Sequence, residues 1–348
     1  MVRATNWLGD AVMSLPAIRA IRDTFPKAYI ALVARPWVAD LYARESVIDA
    51  VIPYTAQTGW RAKVDFGRRL EVHAFDAAIL LQNAFDAALM AWLARIPQRI
   101  GYRRDGRGLL LTRAIAVPEA GEIPRHERYY YLELLRRAGL MEKFPRPAPI
   151  LLEGIAEARE SGAAQLRSLN IAGPVIGVSP GAAYGNAKRW LAERFAESAV
   201  QLARASECTV LVFGSAAERE LAESVAAPIR KSLVAVHNLA GETTLRQFTD
   251  LAACCNLFLT NDSGAMHMAS ALSVPTVAVF GATDDTTTGP AGPFMRVVRE
   301  PAECSPCLLR ECPIDHRCMT RVASTRVVSD AQDLMAEHAL AWTPERRF

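Results

Sequence analysis

The sequence predicts an α/β protein built from two Rossmann-like domains, each a doubly wound parallel sheet, that face each other across a cleft. The chain has 348 residues. A chain of this length usually forms two domains, because a single hydrophobic core seldom extends over so many residues. Apolar strand-like runs alternate with amphipathic helical segments in both halves, which is typical of parallel sheets covered on both faces. Prolines at 145, 147 and 149 interrupt the alternation and indicate a linker between the halves.

The domain bounds follow from this pattern. We expect an N-terminal domain over 1–152, a C-terminal domain over 153–328, and a helix with a tail over 329–348. The first strand has only four residues before a loop begins, so either it is short or the natural start lies upstream of Met1.

The predicted elements of the first half alternate in order. Apolar side chains at helical spacing, such as Val12, Leu15 and Ile18, indicate the first helix. The strand-like runs are 1–4, 29–34, 50–54, 77–81 and 96–102. The helical segments are 9–24, 37–43, 60–72, 85–94 and 125–138.

The second half alternates more cleanly, because its apolar runs are bounded by short polar loops. The strand-like runs are 175–179, 209–213, 235–239, 257–260 and 276–280. The helical segments are 155–169, 192–205, 217–225, 244–253, 264–272 and 329–341.

Composition narrows the class of protein. No apolar run reaches the about 20 residues that a membrane span needs, and no secretory leader pattern is present, so we expect a cytoplasmic protein. The first 150 residues carry a net charge of +7 and the remainder −4, which favours an anionic partner for the first half. Nucleic acid is disfavoured, because aromatic residues do not interleave with the basic ones.

In parallel sheets, ligands bind beyond the carboxyl ends of the strands, so the loops there are candidate sites. In the first of these loops, Gly9 permits a tight turn and Asp10 opens the following helix. An Asp at that place is equally typical of a helix cap. The loop contains no lysine, so it is not a Walker phosphate loop.

Two loops of the second half carry polar groups after apolar strands. The loop 179–190 is rich in small residues and ends in Lys188-Arg189-Trp190, and exposed backbone N–H groups with a cation suit a diphosphate. In the loop 213–220, Glu218 suits either a ribose contact or a helix cap.

The loop 260–269 is the most informative segment. It places Asp262, Ser263 and Gly264 in one turn before a helix, with His267 in the first helical turns. Carboxylates bind sugar hydroxyls, and amides at a helix start bind phosphate. The loop therefore predicts a site for a phosphorylated sugar.

Taken in order, these motifs resemble one family. They are Trp-Leu-Gly-Asp-Ala-Val-Met-Ser-Leu-Pro-Ala, Ser-Pro-Gly-Ala, Ala-Lys-Arg-Trp, Val-Phe-Gly-Ser, Asn-Leu-Ala-Gly-Glu-Thr-Thr-Leu and Thr-Asn-Asp-Ser-Gly-Ala-Met-His. The ordered set resembles the ADP-heptose:lipopolysaccharide heptosyltransferases, glycosyltransferase family 9, and within it the heptosyltransferase II group. The similarity runs along nearly the whole chain.

The resemblance implies a GT-B fold with the donor in the C-terminal domain. It implies an inverting transfer of heptose from ADP-heptose to a heptose of the lipopolysaccharide inner core, with no metal required. Asp10 then resembles the general base, and Lys188 the cation that neutralises the diphosphate. Asp262 resembles the residue that holds donor-sugar hydroxyls.

The resemblance assigns further donor contacts, which are Ser263, Gly264 and His267 for the diphosphate, Glu218 for the ribose, and Thr243 and Thr244 for the adenine. Acceptor-side candidates are Asn83, Arg103, Arg104 and His126. Relatives often carry hydroxyl residues before the loop lysine, where this chain has Ala182 and Ala183. The expected partners are the nucleotide sugar, the lipopolysaccharide core acceptor and the inner face of the inner membrane.

Four cysteines occur in one short segment, residues 304–318, which we call the cysteine segment. They are Cys304, Cys307, Cys312 and Cys318. Clustered thiols in a reducing compartment suit zinc or stay reduced, with a disulfide as the third alternative. We expect this segment to lie outside the donor site.

Two other readings of the sequence stay open. Another two-domain nucleotide-sugar enzyme, such as an epimerase or a transferase with a different donor, would show the same diphosphate loops. A non-enzymatic glycan-binding or metal-binding protein built around the cysteine segment would not need Asp10.

Overall fold

The computed structural model describes residues 1–55 and 59–339. The chain divides into two compact units, Met1–Ala148 and Pro149–Phe348. Each unit contains one six-stranded sheet in which every strand pair is parallel. The predicted fold class, α/β with doubly wound parallel sheets, is confirmed.

The sheet of the first unit has the strand order β3-β2-β1-β4-β5-β6. Its strands are β1 Val2–Arg3, β2 Ala31–Ala34, β3 Ala50–Pro53, β4 Ala77–Leu80, β5 Gln98–Tyr102 and β6 Arg113–Ile115. Its helices are α1 Leu8–Thr24, α2 Pro36–Ala39, α3 Trp60–Arg69, α4 Phe85–Leu93 and α5 Arg128–Arg137. The two-residue β1 pairs with β2 and β4, so the shortest strand occupies the centre of the sheet.

The sheet of the second unit repeats this topology with the order β12-β11-β10-β7-β8-β9. Its strands are β7 Val175–Ser179, β8 Thr209–Val212, β9 Val236–Asn238, β10 Leu257–Asn261, β11 Thr276–Val279 and β12 Met295–Val298. Its helices are α6 Ile155–Ser168, α7 Ala192–Ser206, α8 Arg219–Lys231, α9 Leu245–Ala253, α10 Gly264–Ala271, α11 Asp285–Thr288, α12 Arg317–Thr320 and α13 Ser324–Glu337.

The sequence did not predict the short elements at the sheet edges. β6 and β12 were both missed, because an edge strand buries few side chains and lacks a continuous apolar run. In β6 only Ile115 is buried, and in β12 only Val298. The short helices α11 and α12 were also missed, because about one turn is too short to show helical periodicity.

Helix bounds also differ from the prediction, most of all in α13 and α8. α13 begins five residues before the predicted start at 329, because Val327, Ala331 and Leu334 continue one buried stripe. Its predicted end at 341 lies outside the described residues. α8 runs past the predicted end at 225 because Ala226 and Ile229 extend its buried face.

Apolar side chains from both faces of each sheet form the cores. Ile176, Val178 and Leu259 from the central strands of the second sheet are fully buried. In the first unit Ala31, Val33 and Leu80 play the same part. Among the residues that the structure describes, none of the helices is long and apolar enough to cross a membrane.

Gly162 fixes how closely α6 approaches α9. A Cβ atom there would overlap the Asp250 carbonyl oxygen and lie 2.7 Å from the Cys254 Sγ. Gly162→Ala should therefore lower the free energy of unfolding by about 1–3 kcal/mol, although helix propensity by itself favours Ala by about 1 kcal/mol. Urea unfolding midpoints of the variant and the parent show whether the substitution lowers or raises the free energy of unfolding.

Glu160→Ala, at an exposed position of the same helix, is the matched control and should stay within about 0.5 kcal/mol of the parent protein. A gain in stability for Gly162→Ala would contradict the close approach of the two helices.

Candidate active site

The second sheet has its topological switch point between β7 and β10. These two strands are neighbours, but the chain leaves β7 toward β8 and leaves β10 toward β11, which opens a crevice beyond their carboxyl ends. Thr260 of β10 lies opposite Ser179 of β7, so the two following loops start at the same level. The predicted donor residues on these loops are thereby brought together.

The centre of this crevice is an ion pair. The Lys188 Nζ atom lies 2.6 Å from the Asp262 Oδ2 atom, and the Thr283 hydroxyl donates to the same oxygen at 2.6 Å. Asp262 is 4% exposed, so its charge needs a partner. The sequence did not single out Thr283, although it follows the end of β11 at the same sheet edge.

The Asn261 side chain holds the loop that carries Lys188 through two hydrogen bonds. Its side-chain oxygen accepts the Trp190 N–H at 2.9 Å, and its amide nitrogen donates to the Pro180 carbonyl at 2.7 Å. Asn261 is fully buried, so both bonds are shielded from water. The amide thus closes both ends of the loop onto β10.

The start of α10 lies beside this pair. Ser263 caps the helix, with its hydroxyl accepting the Met266 N–H, and Gly264 is the first helical residue. A helix start concentrates unpaired N–H groups and a partial positive charge. His267 is 4% exposed and belongs to the first turns of the same helix.

Glu218 has a structural role that the sequence left open. One of its oxygens accepts both the N–H and the hydroxyl of Ser215 in a reciprocal cap. Its other oxygen lies against Gly181, where a Cβ atom would overlap it. The carboxylate therefore connects the loop after β8 to the loop after β7.

Thr243 and Thr244 lie between β9 and α9. Thr244 caps α9 by accepting the Gln247 N–H at 3.2 Å, and Thr243 is half-buried. The preceding Gly241 donates its N–H to the Gly214 carbonyl at 2.9 Å and approaches Ala216 too closely for a side chain. This contact joins the loops that follow β8 and β9.

The first sheet has the same switch point between β1 and β4. Asp10 lies in the first turn of α1 and is half-buried. The loop before it is fixed through Asn6, whose N–H donates to Gln82 and whose carbonyl accepts the Trp37 indole N–H. The buried Arg3 guanidinium also donates to the Asn6 side chain.

A second carboxylate lies near Asp10. Burial, followed by the charge of Asp10, raises the pKa of Glu127 above its usual value. Burial also raises the pKa of the Tyr131 hydroxyl, with contributions from the Asp10 and Glu127 charges. Glu127 is distant from Asp10 in the chain, and no sequence motif pointed to it.

Asn83 belongs to a hydrogen-bonded group. Its amide donates to the Tyr130 hydroxyl at 2.8 Å, and its oxygen accepts from Arg107 at 2.8 Å. Arg104 donates to the same Tyr130 hydroxyl at 3.3 Å. Arg107 is fully buried, so it supports Asn83 from inside the unit.

The other two acceptor-side candidates, Arg103 and His126, have different contacts. Arg103 is exposed, and its stem lies over Gly108. The His126 ring nitrogen Nδ1 accepts the Arg128 N–H at 3.1 Å, which places it just before the start of α5.

All seven cysteines have free thiols. Burial, followed by the charges of Cys304, Cys307 and Cys312, raises the pKa of Cys318, so the four cysteines lie near one another. Within residues 1–55 and 59–339, no group of three or more His, Cys, Asp or Glu side chains is arranged to hold a metal ion.

Two doubly wound parallel sheets, each with polar side chains at its switch point, are the architecture of the GT-B class of two-domain nucleotide-sugar enzymes. The chain belongs to glycosyltransferase family 9, the heptosyltransferase family, whose profile matches residues 63–317. The family and enzyme class expected from the sequence are confirmed.

Individual relatives support this assignment. The chain is 35% identical to lipopolysaccharide heptosyltransferase 2 of Escherichia coli over 309 residues, which cover 86% of this chain and 87% of that one. It is 27% identical to lipooligosaccharide heptosyltransferase 2 of Campylobacter jejuni, covering 96% and 98%. The structure of ADP-heptose lipopolysaccharide heptosyltransferase II from E. coli superposes with a TM-score of 0.82 at 29% identity, covering 97% and 98%.

The raised pKa of Glu127 predicts a pH-dependent stability. The folded protein holds the Glu127 proton to higher pH than the unfolded chain, so its contribution to the free energy of unfolding falls as pH rises above 4.5. Glu127→Gln should therefore gain stability over the parent at pH 7 and lose that advantage at pH 4. Urea midpoints at the two pH values measure this difference.

Glu122→Gln is the control of opposite sign. The Glu119 N–H and the Arg137 guanidinium lower the pKa of Glu122, so removing its charge should cost stability at pH 7. An advantage of Glu127→Gln that is equal at both pH values would contradict the raised pKa of Glu127.

Proposed function

We propose that this chain transfers heptose from ADP-L-glycero-D-manno-heptose to a heptose of the lipopolysaccharide inner core, with inversion at the anomeric carbon and no metal or other cofactor. Membership of family 9 and the 35% identity to lipopolysaccharide heptosyltransferase 2 support this reaction. The single observation that carries the proposal is the Lys188–Asp262 pair beside the start of α10. It joins a cation for a diphosphate to a carboxylate for sugar hydroxyls.

The second unit holds the donor in this proposal. The bond between the anomeric carbon and the β-phosphate oxygen breaks, and ADP leaves with an added negative charge. Lys188 and the N–H groups at the start of α10, including those of Ser263 and Gly264, stabilise that charge. His267 adds a further polar group near the diphosphate. Glu218 binds the ribose, and Thr243 and Thr244 lie beside the adenine.

Asp262 has two parts in this scheme. In the free protein it accepts from Lys188 and Thr283, which holds both side chains at the crevice. With the donor bound, its carboxylate also accepts sugar hydroxyls. Both contacts from the described residues go to one oxygen, Oδ2, and we assign the other oxygen to the sugar.

The first unit supplies the base. Asp10 takes the proton of the acceptor hydroxyl as its oxygen attacks the anomeric carbon, so that no charge is left on the new glycosidic oxygen. The charge of Asp10 acts on both Glu127 and Tyr131. Glu127 holds its proton to higher pH than an ordinary glutamate, because of its burial and the charge of Asp10.

The acceptor is an anionic glycolipid, and the basic charge of the first 150 residues suits it. Asn83, Arg103, Arg104 and His126 are the proposed contacts with its sugars and phosphates. A lipid acceptor places the enzyme at the cytoplasmic face of the inner membrane, bound peripherally through this basic surface.

Asp10→Asn should reduce turnover of ADP-heptose by about 10²- to 10⁴-fold, because the amide cannot accept the proton. ADP affinity should be nearly unchanged. Mass spectrometry of the product from ADP-heptose and defined core-lipid acceptors measures turnover, with UDP-sugars tested as competing donors.

Asp23→Asn, at an exposed position near the end of the same helix, is the matched control and should keep full activity. Retained turnover in Asp10→Asn would remove the base assignment, and turnover with a UDP-sugar but not ADP-heptose would reject the donor.

Lys188→Met should abolish measurable ADP binding and lower stability by about 3–5 kcal/mol, because Asp262 is left buried without its cation. The double variant Lys188→Met/Asp262→Asn should recover most of the stability and none of the binding. Calorimetric titration with ADP measures the binding, and urea unfolding measures the stability.

Lys231→Met, at an exposed lysine of the same unit, is the control and should leave both quantities unchanged. Recovered ADP binding in the double variant would count against the diphosphate role of Lys188.

A further inference from the structure

The cysteine segment packs directly against the loop that carries Lys188. The Ala187 N–H donates to the Arg310 carbonyl at 3.0 Å. The His316 Nε2 atom lies 3.0 Å from the Ala187 carbonyl, and since a carbonyl only accepts, this nitrogen carries the proton. Both backbone groups of the residue next to Lys188 are thus bonded to the cysteine segment.

Two further contacts join the loop that carries Lys188 to the cysteine segment. The Tyr184 hydroxyl donates to the Leu308 carbonyl at 2.9 Å. At Gly185 a Cβ atom would overlap the Arg310 carbonyl oxygen and lie 2.7 Å from its carbonyl carbon, so the two backbones are in direct contact. The Lys188 ammonium lies 5.0 Å from the centre of the Tyr184 ring, which the Leu308 contact holds in place.

The other side of the cysteine segment is bonded to the loop after β11. The Leu308 N–H donates to the Ala282 carbonyl at 2.8 Å, and the Ser305 hydroxyl donates to the Gly281 carbonyl at 2.6 Å. The next residue in that loop is Thr283, whose hydroxyl bonds Asp262. The segment therefore connects the loop of Lys188 to the loop that supports its carboxylate partner.

The backbone of the segment is held in an uncommon conformation where it meets the first loop. Leu308 has φ 58° and His316 has φ 56°, the left-handed region that non-glycine residues seldom adopt and that surrounding contacts must hold. The far end is anchored by Cys318, which is 5% exposed in the core of the unit. The segment is therefore a fixed support.

We propose that the cysteine segment positions Lys188 and Asp262 for the donor diphosphate, and that His316 is a positioning residue acting through the Ala187 carbonyl. This inference rests on the proposed function, in which the crevice binds ADP. The sequence pattern indicated a segment outside the donor site, whereas in the structure the segment is bonded to both loops that hold the ion pair.

The test compares three variants of the full chain. His316→Ala removes the bond to Ala187, His316→Gln keeps a side-chain N–H donor, and Gly185→Ala forces the loop away from Arg310. His316→Ala and Gly185→Ala should weaken ADP binding, measured by calorimetric titration, roughly 3- to 10-fold, which is the effect of one hydrogen bond. The donor KM should rise by the same factor, whereas the acceptor KM and the kcat at saturating donor stay near the parent values.

His316→Gln should restore ADP affinity to within about twofold of the parent. Ile314→Ala, an exposed position two residues earlier in the segment, is the matched control and should bind ADP as the parent does. Parent-like ADP affinity in both His316→Ala and Gly185→Ala, or equal rises in donor and acceptor KM, would overturn the proposal.

Amide hydrogen exchange separates this proposal from the proposed function. In the absence of any nucleotide, the 184–188 backbone should exchange faster in His316→Ala than in the parent, and at the parent rate in His316→Gln. If the parent protein binds no ADP, the proposed function fails even when this exchange result holds. An unchanged exchange rate in His316→Ala would refute the proposal that His316 positions the 184–188 backbone.

Discussion

The buried ion pair between Lys188 and Asp262 is the interaction on which the second unit's crevice depends. A carboxylate that is 4% exposed is costly unless a cation and further donors compensate its charge. Lys188 and Thr283 provide that compensation, and they can do so only because β7, β10 and β11 are parallel neighbours that end at one edge. The position of the pair is thus a consequence of strand register.

The two units use one topology for different chemistry. In the first, buried guanidiniums support the polar loops: Arg3 donates to Asn6, and Arg107 donates to Asn83. Burial lowers the pKa of each of these two arginines to about 10, so both stay charged at neutral pH. In the second unit a neutral amide, Asn261, does the corresponding work beside a charged pair.

Much of this arrangement can be predicted from the sequence. Alternating apolar strands and amphipathic helices indicate the fold class, because such elements can bury their apolar faces in only a small set of layer arrangements. Strand ends are easy to locate in such a pattern, so the segments that follow the strands were found as candidate sites, and these segments contain Asp10, Lys188 and Asp262. Edge strands such as β6 were not predicted, because a strand with one buried side chain shows no periodic pattern of apolar residues.

The sequence by itself determined the sheet class, the family and which loops carry polar groups, because these depend on local pattern and motif order. Only the tertiary structure decided which distant groups meet. Glu127 lies near Asp10 because α5 packs against α1, and no spacing rule reaches across more than 100 residues. His316 bonds the residue beside Lys188 although 129 positions separate it from Ala187. Contacts between elements far apart in the chain depend on packing, which periodicity does not record.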